Sequence, residues 1–136
     1  LKYFSDYGIN LIKISNWYKS EPYPKISQPW YLNSVAKIST NETSENLIKN
    51  LHQIEYIFGR KRNNQNESRT LDLDIIDFNG IIKTDNPILP HPRMHIRKFV
   101  LLPLRDLEPE WMHPNFKIKI NDLILQCTDN QKIYKL

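Results

Sequence analysis

Apolar residues recur along the chain with two spacings, one typical of strands and one typical of helices. A strand-like run covers residues 9 to 18, and residues 31 to 40 alternate well enough for a second strand. A helical spacing follows, which predicts an amphipathic helix over residues 44 to 58 with Thr43 as its N-cap and Gly59 at its end. The residues with this helical spacing are Leu47, Leu51, Ile54 and Phe58.

The second half of the chain continues the mixture of elements. Residues 71 to 78 have the composition of a strand, and the Asn79-Gly80 step after them is a hairpin signal. Residues 94 to 102 indicate a second helix, which we expect to stop near Pro103. Strands and helices in this order predict an α+β sandwich in which helices pack on a mainly antiparallel sheet.

Composition narrows the class of protein. The chain has 136 residues, of which 40% are hydrophobic and 25% are charged, as expected for one globular domain. Its net charge of +4 favours an anionic partner, which leaves nucleic acid, a membrane surface and a phosphorylated ligand open. Cys127 is the only cysteine, so a disulfide framework and a thiol-rich metal site are excluded. No apolar run approaches the roughly 20 residues of a membrane span, and we expect a cytoplasmic protein.

Two acidic residues on the predicted third strand are candidate metal ligands. Asp72 and Asp74 are two positions apart, so both carboxylates project from one face of the strand. Magnesium is commonly held by one or two carboxylates, with water and substrate phosphate in its other positions. The alternative is a pair of solvated acids on an outer sheet face.

A basic cluster precedes these acids. Arg60, Lys61 and Arg62 are followed by a polar loop and then by Arg69. Guanidinium groups bind phosphate oxygens in a planar fork, so such a loop suits a triphosphate held on its other side by metal. A solvated loop and a nucleic-acid-binding edge are the alternatives.

A histidine clamped by prolines is a further candidate. Pro90 and Pro92 stiffen the backbone around His91, while Arg93 and Arg97 lie one helical turn apart. This group suits phosphate contacts, although a lone histidine is more often structural. The chain has no glycine-rich phosphate loop, so side chains would have to hold ATP.

Aromatic residues supply the last candidate site. Flat heterocycles are recognised by stacking on rings and by polar side chains along the ring edge. Tyr31 shares a predicted strand face with Asn33, and Ser20 lies between two of the aromatic residues, Tyr18 and Tyr23. Packing in the core is the alternative for any one of these rings. The aromatic residues considered are Tyr18, Tyr23, Trp30, Tyr31 and Phe99.

Several short motifs, each weak alone, follow one another along the chain. They are Trp17-Tyr18-Lys19-Ser20, Gln28-Pro29-Trp30-Tyr31-Leu32-Asn33, Ile54-Glu55, Gly59-Arg60-Lys61-Arg62, Arg69-Thr70-Leu71-Asp72-Leu73-Asp74, Leu89-Pro90-His91-Pro92-Arg93, and residues 97 to 104. Taken together, and in their order and spacing from about Ile9 to Pro114, these motifs resemble the 6-hydroxymethyl-7,8-dihydropterin pyrophosphokinase family of folate biosynthesis.

The resemblance implies a ferredoxin-like fold and transfer of pyrophosphate from ATP to the hydroxymethyl pterin, with release of AMP. It implies two Mg²⁺ ions at Asp72 and Asp74, which with Arg62 and Arg69 form the catalytic set. The implied ATP contacts are His52, Glu55, Arg60, Arg62, Arg69, Ile75, His91 and Arg97. The implied pterin contacts are Ser20, Tyr23, Tyr31, Asn33 and Phe99.

The resemblance also implies how the chain is organised. We expect a single domain over residues 1 to 136, truncated at its N-terminus relative to the family, because the family's first strand with its Gly-Ser-Asn motif has no counterpart here. The implied partners are the two small substrates, without nucleic acid or membrane, and a monomer is the simplest state. Two rival interpretations remain open: a module that binds single-stranded nucleic acid, and a degenerate relative that binds pterin or ATP without turnover.

Overall fold

The computed structural model describes residues 2–21, 30–60 and 71–136, with the backbone alone described for Lys2 and Arg60. Its residue contacts divide the chain into two compact units. The first unit comprises Leu1–Asn10 and Ser39–His91, and the second comprises Leu11–Ile38 and Pro92–Leu136. The metal and phosphate candidates fall mainly in the first unit, and the heterocycle candidates fall in the second.

The first unit is built around one amphipathic helix. Helix α1 (Lys2–Asp6) is short, and the chain turns at Gly8, whose φ of 72° favours glycine. Helix α2 (Ser44–Glu55) begins where predicted, since the Thr43 side chain accepts a hydrogen bond from the Asn46 N–H at 3.1 Å. Its apolar stripe is buried at Leu47, Leu51 and Ile54.

The end of α2 differs from the prediction of a helix that runs to residue 58. Regular α-helix stops at Glu55, and the chain continues as a π-helical turn over Tyr56–Arg60. Gly59 lies inside this turn with a φ of 157°. Only glycine adopts that backbone conformation without strain, which explains why the helical register changes before Gly59.

Strands β1 (Ile9–Ile14) and β4 (Ala36–Thr40) form a two-stranded sheet. The predicted strand over residues 31 to 40 is therefore interrupted after strand β3 (Tyr31–Asn33). At the interruption the Ser15 N–H donates to the Val35 carbonyl at 2.8 Å, and the Val35 N–H donates to Ser15 Oγ at 2.9 Å. One bond of the ladder is thus made to a side chain rather than to a backbone carbonyl, which breaks the regular pairing.

Residues 71 to 78 join no strand ladder among the described residues, where the predicted strand is therefore not observed. The Leu73 N–H donates to the Glu55 carboxylate, and the Ile76 carbonyl accepts from the His91 N–H at 2.9 Å. Exposure nevertheless alternates as a strand would require: Asp72 and Asp74 are exposed, while Ile75 is buried. Side-chain exposure still alternates every two residues, because this alternation requires only an extended backbone and not a partner strand.

The Asn79-Gly80 turn has the geometry that its sequence predicts. The φ angles are 54° at Asn79 and 72° at Gly80, and the Ile81 N–H donates to the Phe78 carbonyl at 3.0 Å. Positive φ at both central residues defines a type I′ turn, the turn that suits tight hairpins. Just beyond the turn, Lys83 and Leu89 form an isolated antiparallel bridge.

The second unit contains a three-stranded antiparallel sheet in the order β3 (Tyr31–Asn33), β2 (Tyr18–Ser20), β5 (Ile133–Lys135). Helix α3 (Lys98–Leu107) packs against β2 and β3, and helix α4 (Ile120–Gln126) packs against α3. The centre of this unit lies among the fully buried residues Met94, Leu101 and Ile120. The predicted α+β class with antiparallel pairing is confirmed.

Helix α3 differs from its prediction at both ends. Met94–Ile96 form a 3₁₀ turn, so the α-helix starts at Lys98, and it runs through Pro103 to Leu107. Proline removes one backbone hydrogen bond from a helix interior. Burial of Leu104 and Leu107 beyond it extends the apolar contact of the helix, which offsets that loss.

Within the described segments, no helix combines the length and the apolar character that crossing a bilayer requires.

Candidate active site

The first unit presents two carboxylates on one exposed side of an extended segment. Asp72 and Asp74 are both exposed, and between them the Leu73 N–H donates to Glu55 Oε2 at 2.6 Å. Glu55 is only 3% exposed, so this bond ties the segment to the end of α2 from inside the unit. The aspartates therefore project outward from a backbone that is anchored midway between them.

This donor set fits a hard divalent cation. Magnesium accepts one or two carboxylates and keeps water or phosphate oxygens in its remaining positions, so an exposed pair of carboxylates is suitable. Repulsion between two nearby carboxylates also favours a bound cation. The residues that would hold such an ion are Asp72 and Asp74, and this assignment stays a prediction.

His91 belongs to the same unit and is attached to the same segment. Its backbone N–H donates to the Ile76 carbonyl at 2.9 Å, and its side chain is half-buried. Pro90 before it is buried and Pro92 after it is exposed. The structure thus brings the backbone of the proline-flanked histidine next to the segment that carries the aspartates.

The other predicted nucleotide contacts of this unit lie on α2 and next to the aspartates. His52 is exposed on α2, whereas the Ile75 side chain is buried, so only the backbone of Ile75 is suited to contact a ligand. Glu55 was predicted as a nucleoside contact, and its bond to Leu73 gives it a structural role as well. Sequence reasoning missed that role, although the signal existed: Glu55 occupies the apolar stripe four residues after Leu51.

Three of the predicted pterin contacts lie on one sheet face of the second unit. In the β2–β3 register, Ser20 lies opposite Tyr31, and Tyr18 lies opposite Asn33. Residues opposite each other in an antiparallel pair share a face, and so do residues two apart on one strand. Ser20, Tyr31 and Asn33 therefore lie on a common face, as the sequence predicted for the last two.

Ser20 has an unusual environment on this face. It is fully buried, and its Oγ has no hydrogen-bond partner among the described residues. A buried hydroxyl without a partner is costly, so such a group is a candidate for binding a polar atom of a ligand. Tyr31, by contrast, is 45% exposed and can offer its ring.

The first turn of α3 contributes the remaining groups of this unit. Arg97 directly precedes the helix, and its guanidinium lies over the Phe99 ring, 5.5 Å from the ring centroid. Both side chains are half-buried. A cation and a ring at one helix start offer contacts to an anionic group and to a flat heterocycle.

Helix α3 is fixed on the sheet by a polar contact. The Tyr18 hydroxyl donates to Asp106 Oδ2 at 2.5 Å, and Asn16 and Lys135 also approach that oxygen, each at 3.4 Å. Burial, together with the bond to Asp106, raises the pKa of Tyr18 above its usual value. Burial alone would raise the pKa of Asp106, but the bonds from Tyr18 and Asn16 and the charge of Lys135 lower it overall.

Several predicted residues lie outside the described residues. They are Tyr23, Arg62, Arg69 and the side chain of Arg60. Their assignments to the pterin and to the phosphate chain stay predictions.

The first unit has an exposed carboxylate pair, and the second has an arginine at a helix start and a sheet face with an exposed aromatic ring. Each of these features is typical of nucleotide-dependent transferases. Residues 1–109 match the family model for 7,8-dihydro-6-hydroxymethylpterin-pyrophosphokinase. The chain belongs to this family, which confirms the resemblance seen in its motifs.

Individual relatives agree. The chain is 39% identical over 125 residues to the 2-amino-4-hydroxy-6-hydroxymethyldihydropteridine pyrophosphokinase of Haemophilus influenzae, covering 91% of this chain and 78% of that protein. It is 36% identical over 124 residues to the enzyme of that name from Synechocystis, covering 89% and 63%. It is also 39% identical over 120 residues to the folic acid synthesis protein FOL1 of Dictyostelium discoideum, covering 88% of this chain but only 18% of that longer protein.

Proposed function

We propose that this chain transfers pyrophosphate from ATP to the hydroxymethyl group of 6-hydroxymethyl-7,8-dihydropterin and releases AMP, as a step of folate biosynthesis. The observation that carries the proposal is the family match over residues 1–109, a range that contains every residue assigned to the site. ATP as the co-substrate follows from the pyrophosphokinase activity for which the family is named.

The exposed aspartates would hold two Mg²⁺ ions. When bound, the ions neutralise charge on the phosphate chain and on the oxygens that attack and leave. Support for this part comes from the outward projection of Asp72 and Asp74 and from the anchoring of Leu73 by Glu55.

The remaining ATP contacts surround the phosphates and the nucleoside. Arg62 and Arg69 would bind the phosphates at the point of transfer, so we assign them to catalysis together with the aspartates. The other phosphate contacts would be Arg60, His91 and Arg97, and the nucleoside contacts would be His52, Glu55 and the backbone of Ile75.

The pterin would bind on the sheet face of the second unit. Tyr31 and Phe99 would stack on its ring, and Tyr23, Ser20 and Asn33 would contact its polar edge. The buried Ser20 hydroxyl, which has no partner among the described residues, supports this assignment, because a ring nitrogen or amino group would satisfy it.

Catalysis would depend on positioning rather than on a covalent enzyme intermediate. The pterin hydroxyl oxygen forms a bond to the β-phosphorus of ATP, the bond from that phosphorus to the α–β bridging oxygen breaks, and the hydroxyl proton is lost. In-line alignment of these atoms and neutralisation of charge on the transferred group supply the rate increase. Since both substrates are small soluble molecules, the reaction needs neither nucleic acid nor membrane, and we place it in the cytoplasm.

Measuring AMP formation from ATP in Mg²⁺, with and without the hydroxymethyl pterin, tests the proposal. We expect AMP only when the pterin is present, together with one pterin pyrophosphate for each AMP. Binding of both substrates without AMP would instead indicate a relative that lacks turnover. Salt-sensitive binding of oligonucleotides without any requirement for ATP would favour a nucleic-acid-binding module.

A further inference from the structure

The start of α3 is poorly supported by its own sequence. Arg97 occupies the N-cap position without a side-chain capping bond among the described residues, and the first turn holds no acidic residue. Arg97 and Lys98 instead place two positive charges at the helix end where the backbone dipole is already positive. The local sequence therefore disfavours a helix start at this point. The positions of the Phe99 and Arg97 side chains nevertheless depend on that start.

A carboxylate from the C-terminal part of the chain compensates for this. Asp129 Oδ2 accepts a hydrogen bond from the Lys98 N–H at 3.3 Å, and Asp129 Oδ1 accepts from the Gln131 N–H at 2.8 Å. Both oxygens are thus engaged, which fixes the carboxylate in orientation. Its negative charge lies at the positive end of α3 and satisfies one of the N–H groups that a helix start leaves unpaired.

The segment that carries Asp129 is itself anchored to the sheet. The Gln131 side-chain amide donates to the Glu21 carbonyl. The Lys132 N–H donates to Glu21 Oε1 at 2.9 Å, and the Glu21 N–H donates to the Lys132 carbonyl at 3.0 Å. Strand β5 follows at once, with Ile133 opposite Ser20. Asp129 therefore connects the strand that holds Ser20 to the helix start that holds Phe99.

We propose that Asp129 is a positioning residue for the pterin site: by capping α3 from outside the helix, it sets Phe99 and Arg97 relative to Ser20 on β2. The proposal rests on the proposed pterin contacts of Phe99 and Ser20. Asp129 lies beyond residues 1–109, so nothing in the family match assigns it a role.

The test uses the full chain and three variants. Asp129→Ala removes the cap, Asp129→Asn keeps a capping oxygen without the charge, and Asp122→Ala is the control, which removes one exposed acid from the same unit. The measurements are the pterin Kd by fluorescence, both KM values and kcat in Mg²⁺, each at a temperature well below the Tm of the variant.

We expect Asp129→Ala to raise the pterin Kd and KM by about five-fold. This factor is the usual loss of helix stability on removal of an N-cap, expressed as an equilibrium constant. The KM for ATP should change by no more than about two-fold, because Arg97 is one of many ATP contacts. Asp129→Asn should lie between Asp129→Ala and the unaltered chain, since its one amide oxygen can accept from only one of the two N–H groups and carries no charge. Asp122→Ala should leave every value unchanged.

Unchanged pterin binding in Asp129→Ala would overturn the proposal, and so would an Asp129→Asn variant as impaired as Asp129→Ala. If Asp129→Ala does not fold, hydrogen exchange at the Lys98 amide in Asp129→Asn decides: protection like that of the unaltered chain supports the cap, and lost protection with unchanged pterin binding overturns it. If the unaltered chain binds no pterin, both the proposed function and this inference are wrong. If the unaltered chain binds pterin and the Asp129 variants bind it equally well, only this inference is wrong.

Discussion

The segment that carries Asp72 and Asp74 and the sheet face that carries Ser20, Tyr31 and Asn33 are stabilised in different ways. The first is extended backbone that pairs with no strand in the described part of the chain, and one buried carboxylate anchors it at Leu73. The second is a hydrogen-bonded sheet with strands on both sides of β2 and a helix packed against it.

The two kinds of stabilisation suit two different requirements of the proposed reaction, recognition of the pterin ring and presentation of metal ligands. A flat ring is recognised by shape, so the groups that contact it should be fixed before it binds. Metal ligands are completed by the ion and by substrate oxygens, so a short anchored segment is sufficient to present them. We therefore expect single substitutions in the segment that carries Asp72 and Asp74 (the aspartate segment) to lower kcat. Substitutions in the second unit should instead lower stability and pterin affinity.

The largest effect should come from the aspartates. Replacing Asp72 or Asp74 with Ala should lower kcat by at least about a hundred-fold, since metal neutralisation of phosphate charge supplies several kcal/mol to the transition state. Because both side chains are exposed, the free energy of unfolding should change by less than about 0.5 kcal/mol. Steady-state assays and thermal melting measure the two quantities. Near-normal turnover in Mg²⁺ by either variant would eliminate the metal assignment.

Glu55→Ala should have an intermediate effect, because it removes the anchor of the aspartate segment without removing either proposed metal ligand. A hydrogen bond to a buried charged group contributes about 1.5 to 3 kcal/mol, so we expect a stability loss of that order. We also expect a higher Mg²⁺ concentration at half-maximal rate, with the pterin KM unchanged. Glu55→Gln, which keeps an acceptor, should be milder, and Gln53→Ala on the exposed side of α2 is the control. A raised KM for ATP with an unchanged Mg²⁺ requirement would limit Glu55 to nucleoside binding.

The smallest effect should come from Tyr18→Phe, which removes the hydroxyl that joins β2 to α3. At neutral pH we expect a stability loss of about 1 to 2 kcal/mol from the lost bond to a carboxylate, with kcat retained. Since the pKa of Asp106 is lowered in the folded protein, its contribution is present above its unfolded pKa and disappears as the pH falls through the folded value.

The loss caused by Tyr18→Phe should therefore shrink below about pH 4, where unfolded aspartate becomes protonated. Denaturant unfolding of both proteins across this range measures the difference. A gap that stays constant down to pH 2 would show that the Asp106 charge contributes nothing to the contact.

Local signals in the sequence predicted the local features well. Thr43 caps α2 as its side chain requires, and Asn79-Gly80 forms the turn that its two positive φ angles allow. The alternation of exposed and buried positions around Asp72 and Asp74 also follows from local periodicity. The motifs also identified the family, because they combine many weak local patterns.

What the sequence did not predict depends on distant partners. Whether residues 71 to 78 join a ladder is decided by the neighbours of that segment, and here Leu73 bonds to Glu55 instead. Helix α3 continues through Pro103 to a buried far end, and the Lys98 N–H at its start bonds to Asp129, which lies 31 residues later. Periodicity and propensity contain no information about such contacts.

The turn at Asn79-Gly80 also bears on how the protein ages. Asparagine followed by glycine deamidates when the glycine backbone nitrogen attacks the asparagine side-chain carbonyl, closing a succinimide ring with loss of ammonia. In the folded turn the Gly80 N–H donates to Asp77 Oδ1 at 3.2 Å, and the i to i+3 bond from Ile81 to Phe78 holds the backbone in its tight conformation. The attacking nitrogen is therefore restrained while the turn is closed. Deamidation at this step would record the time that a stored sample has spent with the turn open.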